Sequence, residues 1–252
     1  MSIETQLAGL VGNLPDGMTE EVALGTGLAD GYDLYQSAIG DVAVTFNPKG
    51  VSSVDIADKE FKDRFVQRFG RELIRAEAPS AWGRHIPSAI EAGRPGKLPV
   101  DLGSVTRFQA EVLARTATIP KGEVRPYAWL AHEVQRPGAM RAAGSAVARN
   151  PIPLIIPCHR VVRADGHIGN YSLGGPDNKH DLLEHEGAHP DWLEGLASKH
   201  IRLQGNTSTK IFCHPTCHTI RRSKPENVVD FRAFDEAENS GFRACELCRP
   251  CC

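Results

Sequence analysis

The residue types able to do chemistry gather at two places in this chain. Cys158 is the first cysteine and is followed at once by His159 and Arg160. The thiolate, not the thiol, is the nucleophile, and a nearby imidazole or cation lowers the thiol pKa. Neighbours on a regular strand point to opposite faces, so Cys158 and His159 would meet only across a bend or through a water. A lone cysteine is more often a small buried hydrophobe, and Cys-His-Arg alone shifts that balance only in part. The second place is the tail, where six of the seven cysteines lie within the last forty residues. Cys213-x3-Cys217 and Cys245-x2-Cys248, separated by 27 residues, have the spacing of two thiolate knuckles closing a tetrahedral zinc site. So short a segment with few large apolar residues needs such a staple to fold. Cys251 and Cys252 leave the ligand choice open, since Cys248-x2-Cys251 is also a pair; His214 and His218 read as bystanders.

The elements that must position these groups follow from periodicity and punctuation. Val42, Val44 and Phe46 alternate, Asn47-Pro48-Lys49-Gly50 is a turn, and Val51–Ile56 continues apolar, which predicts a β-hairpin. Residues 58–77 predict a helix with Phe61, Phe65 and Leu73 on its apolar side, and residues 79–104 a connection with one short strand. A helix carrying Phe108, Val112 and Leu113 ends at Ile119-Pro120-Lys121-Gly122. Tyr127–Val134 and the Ala- and Gly-rich Ala139–Arg149 follow, joined by Arg136-Pro137-Gly138 as a helix-turn-helix. Asn150-Pro151 stops the second of these. Ile152–Ile156 then reads as a buried strand delivering Cys158, and 178–187 as a helix with Leu182 and Leu183 inward.

The run Asn150-Pro151-Ile152-Pro153-Leu154-Ile155-Ile156-Pro157-Cys158-His159-Arg160-Val161-Val162 resembles the active-site signature of the O6-alkylguanine-DNA alkyltransferases. Further pieces stand in that family's order: Phe108-Gln109, Ile119-Pro120-Lys121-Gly122, Tyr127 with Leu130-Ala131, Arg141-Ala142-Ala143-Gly144, Gly169-Asn170-Tyr171-Ser172, and Leu182-Leu183-Glu184-His185-Glu186-Gly187. The resemblance covers 106–187 strongly and 30–100 more weakly. Taken singly, Tyr127 and Tyr171 are ordinary core aromatics, and Arg141 and Glu186 ordinary solvated charges. In register, they take on the roles the resemblance implies. Cys158 would accept the alkyl carbon from guanine O6. His159 would be its base through a water, oriented by Glu186, with Asn150 fixing the local turn. Tyr127 would donate to the leaving guanine. Tyr171 and Ser172 would line the base pocket, although the spacing from there to Glu186 runs about one residue longer than in some relatives. The base must leave the stack to be reached; Arg141 would fill its place, while Ala142 and Gly144 let the helix approach through the minor groove.

The tail, through Ile211-Phe212-Cys213-His214-Pro215-Thr216-Cys217 and Gly241-Phe242-Arg243-Ala244-Cys245-Glu246-Leu247-Cys248-Arg249-Pro250, resembles the zinc-binding module of the Ada-type alkylation-response protein. That resemblance implies structural zinc on Cys213, Cys217, Cys245 and Cys248. It also implies methyl acceptance by Cys213 from DNA phosphotriesters, which would remove a charge and tighten the hold on DNA. Here the module follows the alkyltransferase segment instead of preceding it.

Composition bounds these readings. The 252 residues are 41% hydrophobic and 24% charged, which excludes a disordered or fibrous chain. No stretch has the length of a membrane span. The N-terminus lacks a cationic and apolar leader, so the expected compartment is the cytoplasm. The net charge of −2 is uneven: residues 1–106 carry 10 Lys and Arg against 15 Asp and Glu, residues 107–180 carry 10 against 5, and 199–252 carry 9 against 6. That asymmetry fits a polyanion held by the middle and the tail.

The expected architecture is an α/β N-terminal domain (1–105; ribonuclease H-like, as the resemblance implies), a mainly helical catalytic and DNA-binding domain (106–190), a linker (191–208) and a zinc module (209–252). The expected partner is double-stranded DNA containing O6-alkylguanine, with no organic cofactor, no membrane and a monomeric chain. The alternatives are a DNA-binding alkylation or redox sensor and, more distantly, a Cys-His hydrolase.

Overall fold

The computed structural model describes residues 19–251. Its contacts divide the chain into two compact units, Met1–Thr106 with Pro151–Ile155, and Arg107–Asn150 with Ile156–Cys252. The first eighteen residues and Cys252 lie outside the described residues.

In the first unit, α1 (Glu20–Thr26) starts at Thr19, whose side chain accepts a hydrogen bond from the Val22 N–H. The strands β1 (Ala29–Ser37), β2 (Gly40–Asn47) and β3 (Gly50–Ile56) form an antiparallel meander. The expected hairpin is present, with Asn47 opposite Gly50 across Pro48-Lys49. Helix α2 (Phe61–Phe69) buries Phe61 and Phe65 and stops at Gly70, in left-handed geometry at φ +67. Leu73, expected on that helix, therefore lies on β4 (Glu72–Arg75), which pairs parallel to β1 and completes the order β3-β2-β1-β4. Asp30, fully buried on β1, accepts two hydrogen bonds from Arg71 at 2.6 and 3.1 Å and one from Ser52 at 2.5 Å. These bonds compensate the desolvation of a buried charge.

The connection 79–104 differs from expectation. It holds a 3-10 turn at Gly83–His85 and the helix α3 (Ile86–Ala92), and its only strand-like contact among the described residues is an isolated bridge between Val51 and Val100. Pro87 suits a first helical turn, whereas Pro95 and Pro99 cannot donate to a ladder.

In the second unit, α4 (Arg107–Thr116) buries Val112 and Leu113. The two-residue strand β5 (Arg125–Pro126) leads into α5 (Tyr127–Glu133). A 3-10 turn at Pro137–Ala139 connects α5 to α6 (Met140–Ala148), giving the expected helix-turn-helix. Ala143, Ala146 and Val147 are the buried face of α6, which packs on α4 and α5.

Ile152–Ile156 is not the expected strand. Its side chains are buried, but the backbone turns irregularly and Leu154 takes φ +69. Pro151, Pro153 and Pro157 remove the donors a ladder would need. Cys158 instead opens a 3-10 turn (Cys158–Arg160), and the strand β6 (Val161–Val162) follows it, parallel to β5.

Helix α7 (Gly175–His185) buries Leu182 and Leu183, and α8 (Pro190–Ser198) joins Val124, Val162, Leu183 and Ala188 in a shared core through Leu193. The strands β7 (Leu203–Asn206) and β8 (Ile211–Cys213) are followed by the short helix α9 (His218–Arg221). Then come β9 (Val228–Phe231), α10 (Phe234–Asn239) and β10 (Arg243–Ala244). Their sheet runs β10-β8-β7-β9. The span 191–208 thus contains most of α8 and all of β7. Gly205 is required in this sheet, because a Cβ there would come within 2.7 Å of the Phe231 ring and 2.8 Å of the Phe242 ring.

Candidate active site and metal centre

Cys158 is 3% exposed and sits at the start of its 3-10 turn. Asn150, the residue that ends the helix-turn-helix, donates through Nδ2 both to the Ile156 carbonyl at 2.8 Å and to Cys158 Sγ at 3.1 Å. One amide therefore shapes the turn and favours the thiolate. Burial pushes the Cys158 thiol up, while the Asn150 bond, the Lys179 charge and the Tyr171 hydroxyl pull the other way. A thiol so balanced stays protonated at rest and needs a base when it reacts.

The next residue, His159, is the candidate for it. Its Nε2 lies 3.0 Å from Glu186 Oε1, and its Nδ1 is buried with no hydrogen-bond partner among the described residues. Burial lowers the His159 pKa against the opposing pull of Glu186. The ring is therefore neutral near pH 7, with Nε2–H donating to the carboxylate and the Nδ1 lone pair available. Burial disfavours the ionised Glu186, but hydrogen bonds from His159 and Arg160 and the Arg160 charge outweigh it and hold the carboxyl at about 2. Arg160 clamps that carboxylate through Nε at 2.8 Å and Nη2 at 2.6 Å, and donates through Nη1 to the Ile119 carbonyl at 2.7 Å.

The other expected site residues divide between the buried cluster and the surface. Tyr171 is buried, its ring edge-on to His159 at 6.1 Å, with its hydroxyl beside the thiol but forming no well-directed hydrogen bond. Tyr127 is half-buried, and burial and the neighbouring Cys158 raise its pKa. Its ring packs beside Gly144 of α6. Arg141 and Ala142 are exposed on the first turn of α6, and Arg141 has no ion-pair partner among the described residues. Ser172 is exposed next to the buried Tyr171.

Two residues that sequence reasoning passed over belong to the cluster. Arg160 was read as a nearby cation and is the main clamp on Glu186. Lys179, 1% exposed, donates to the Val161 carbonyl at 2.6 Å, and burial lowers its pKa to about 8. The signal for Lys179 was weak but present: a lysine one turn before Leu182-Leu183 lies on the buried side of α7.

In the tail, the Sγ atoms of Cys213, Cys217, Cys245 and Cys248 lie within 4.8 Å of one another, and all four residues are buried. A tetrahedral zinc with Zn–S bonds of about 2.3 Å needs sulfur–sulfur edges of about 3.8 Å, so the donor set and its compactness fit that ion. The four thiols converge on one another: hydrogen bonds from Cys213 and Cys248, with further ones from Thr219, pull Cys217 down, and Cys213 is pushed up. Cys251 is half-buried and outside this group. His214 is buried beside the ligands, and His218 lies 3.7 Å from Glu123.

Residues 107–188 match the model of the 6-O-methylguanine DNA methyltransferase DNA-binding domain, and residues 200–251 match the metal-binding domain of Ada. The methylated-DNA–protein-cysteine methyltransferase of Methanosarcina barkeri is 36% identical over 62% of this chain and 96% of its own length. That of Mycobacterium leprae is 49% identical over 60% of this chain and 88% of its own. The crystal structure of the Mycobacterium tuberculosis O6-methylguanine methyltransferase superposes with a TM-score of 0.50 at 28% identity, over 64% of this chain and 94% of that one. The chain belongs to the methylated-DNA–protein-cysteine methyltransferase family and carries an Ada-type zinc-binding domain at its C-terminal end.

Proposed function

We propose that the protein repairs DNA by moving the alkyl group of O6-alkylguanine directly onto Cys158, once per molecule. The observation that carries this reading is the buried chain of contacts Asn150–Cys158 and His159–Glu186–Arg160. The Cys158 proton passes to His159 Nδ1 through a water. Sulfur attacks the alkyl carbon, the S–C bond forms and the C–O6 bond breaks. The departing guanine takes a proton from Tyr127, and the proton held by His159 returns through water to the Tyr127 phenolate. The net result is a thioether on the protein and guanine in the DNA. A thioether does not hydrolyse, which accounts for a single turnover.

Double-stranded DNA is the partner that the chemistry requires, and the excess of basic residues in 107–180 supports it. The exposed first turn of α6 suits entry of Arg141 into the space left by a flipped base, with Ala142 and Gly144 near the backbone. Tyr171 and Ser172 would then border the base. Zinc on the four tail thiols serves structure. The mixed sheet of the first unit supports a ribonuclease H-like reading of the N-terminal domain, while β7 in the tail sheet argues for a zinc module that begins within 191–208. Free thiols favour a reducing compartment, the cytoplasm. A sensor that only binds DNA would have no use for the His159–Glu186 pair.

The test is to incubate the protein with a duplex containing O6-methylguanine. The expected result is one methyl added per chain, with an equal amount of guanine restored. Bound duplex with its O6-methylguanine intact would contradict the proposal.

A further inference from the structure

The zinc knuckle touches the segment that holds the active-site carboxylate. Helix α9 begins directly after the ligand Cys217, and the Arg221 N–H at its other end bonds to the Cys217 carbonyl at 3.1 Å. From this knuckle, Thr216 Oγ1 accepts from the Val124 N–H at 2.8 Å, and the His218 N–H donates to Glu123 Oε1 at 3.1 Å. Arg221 donates through Nη1 to the Gly122 carbonyl at 3.2 Å and through Nη2 to the Gly187 carbonyl at 2.9 Å.

The residues so held flank the catalytic network. The Gly122 N–H donates to Glu186 Oε2 at 3.3 Å. Gly122 itself takes φ +75, and a Cβ there would stand 2.7 Å from the Glu186 carbonyl oxygen. Arg125, three residues on, pairs in register with Val161 just after the Cys158–Arg160 turn. Arg221 thus spans the two backbone stretches, Gly122 and Gly187, between which Glu186 is seated.

We propose that the zinc knuckle is a working part of the alkyl-transfer site: the metal-bound loop, through Arg221 and Thr216, fixes residues 122–125 and Gly187 and thereby holds Glu186 against His159. Arg221 and Thr216 are positioning residues, since neither touches the reacting atoms. The inference rests on the reading of His159 as the base for Cys158. It means that the zinc module supports guanine repair within the same chain, whatever else it does.

The test compares full-length, zinc-loaded wild type with Arg221→Met, Arg221→Lys and Thr216→Val. Three quantities are measured: zinc per chain, the single-turnover rate constant with saturating O6-methylguanine duplex, and the 15N NMR shifts of the His159 ring. The expectation is that Arg221→Met keeps its zinc and its affinity for DNA but transfers about 10-fold more slowly, the scale set by small misplacement of a catalytic group. Its His159 should change from the single Nε2–H tautomer to a mixture. Lysine at 221 should recover part of both, and Thr216→Val should show a smaller change of the same kind. Wild-type rate and His159 spectrum in a zinc-retaining Arg221→Met would overturn the proposal. If that variant fails to fold or to keep zinc, Thr216→Val decides in the same way. A wild type that transfers no methyl would sink the repair reading instead, and the His159 spectrum, which needs no DNA, would still decide the coupling.

Discussion

Cys158 and Cys213 are equally hidden from solvent, yet their surroundings differ in kind. Around Cys158 stand an amide, two tyrosines and a lysine, with the His159 imidazole next along the chain. Around Cys213 stand three other cysteines and Ile220. On the proposed reading, the first environment lets one thiol lose a proton as it reacts. The second removes protons only if a cation replaces them. Burial alone therefore says little about a cysteine; the polar groups within reach decide whether it is a nucleophile or a ligand.

The comparison breaks most visibly at the metal. Cys245→Ser leaves three thiolates, and structural zinc in small modules is worth on the order of 10 kcal/mol of folding free energy. We expect zinc release and loss of the β7–β10 sheet, read by metal content and by amide exchange of 203–248. Methyl transfer by Cys158 should slow but persist, because Asn150, His159 and Arg160 belong to other elements. A variant that keeps its zinc would point to Cys251 or Cys252 as a replacement ligand.

A smaller effect sharpens the other side. Glu186 has a folded pKa of about 2, below its ordinary value. Its contribution to stability is therefore complete above the ordinary carboxylate range and is lost as the pH falls towards 2. A depression of this size corresponds to about 3 kcal/mol. Glu186→Gln should lower the melting temperature at pH 7 and flatten the decline of stability between pH 5 and pH 2. A variant as steep as wild type in that interval would show that another carboxylate governs acid unfolding.

Much of both centres was legible in the sequence because each depends on local spacing. The paired cysteines predict their own cluster, and the Asn150–Val162 run keeps together three groups that the structure also brings together. The helix-turn-helix was legible from its Pro-Gly turn and small-residue helix. The misreadings have local physical causes. Ile152–Ile156 was apolar enough for a strand, but three prolines deny it a ladder. Leu73 matched a helical spacing that Gly70 had already ended. The Arg160–Glu186 clamp spans 26 residues and the Arg221–Gly122 bond spans 99, and no periodicity reports a contact made by folding alone. The seat of Gly122 against Glu186 was equally silent, because a glycine needed for close approach looks the same as one needed for a turn.

The central claim is that the surroundings select Cys158 among the thiols. The most direct test is peptide mass mapping after reaction with a duplex carrying a labelled methyl on guanine O6, on wild type and on Cys158→Ser. The account predicts label on the Cys158 peptide alone in wild type, and no label anywhere in the variant while its affinity for the duplex is retained. Label from guanine O6 on Cys213 or any other cysteine of the variant would contradict it.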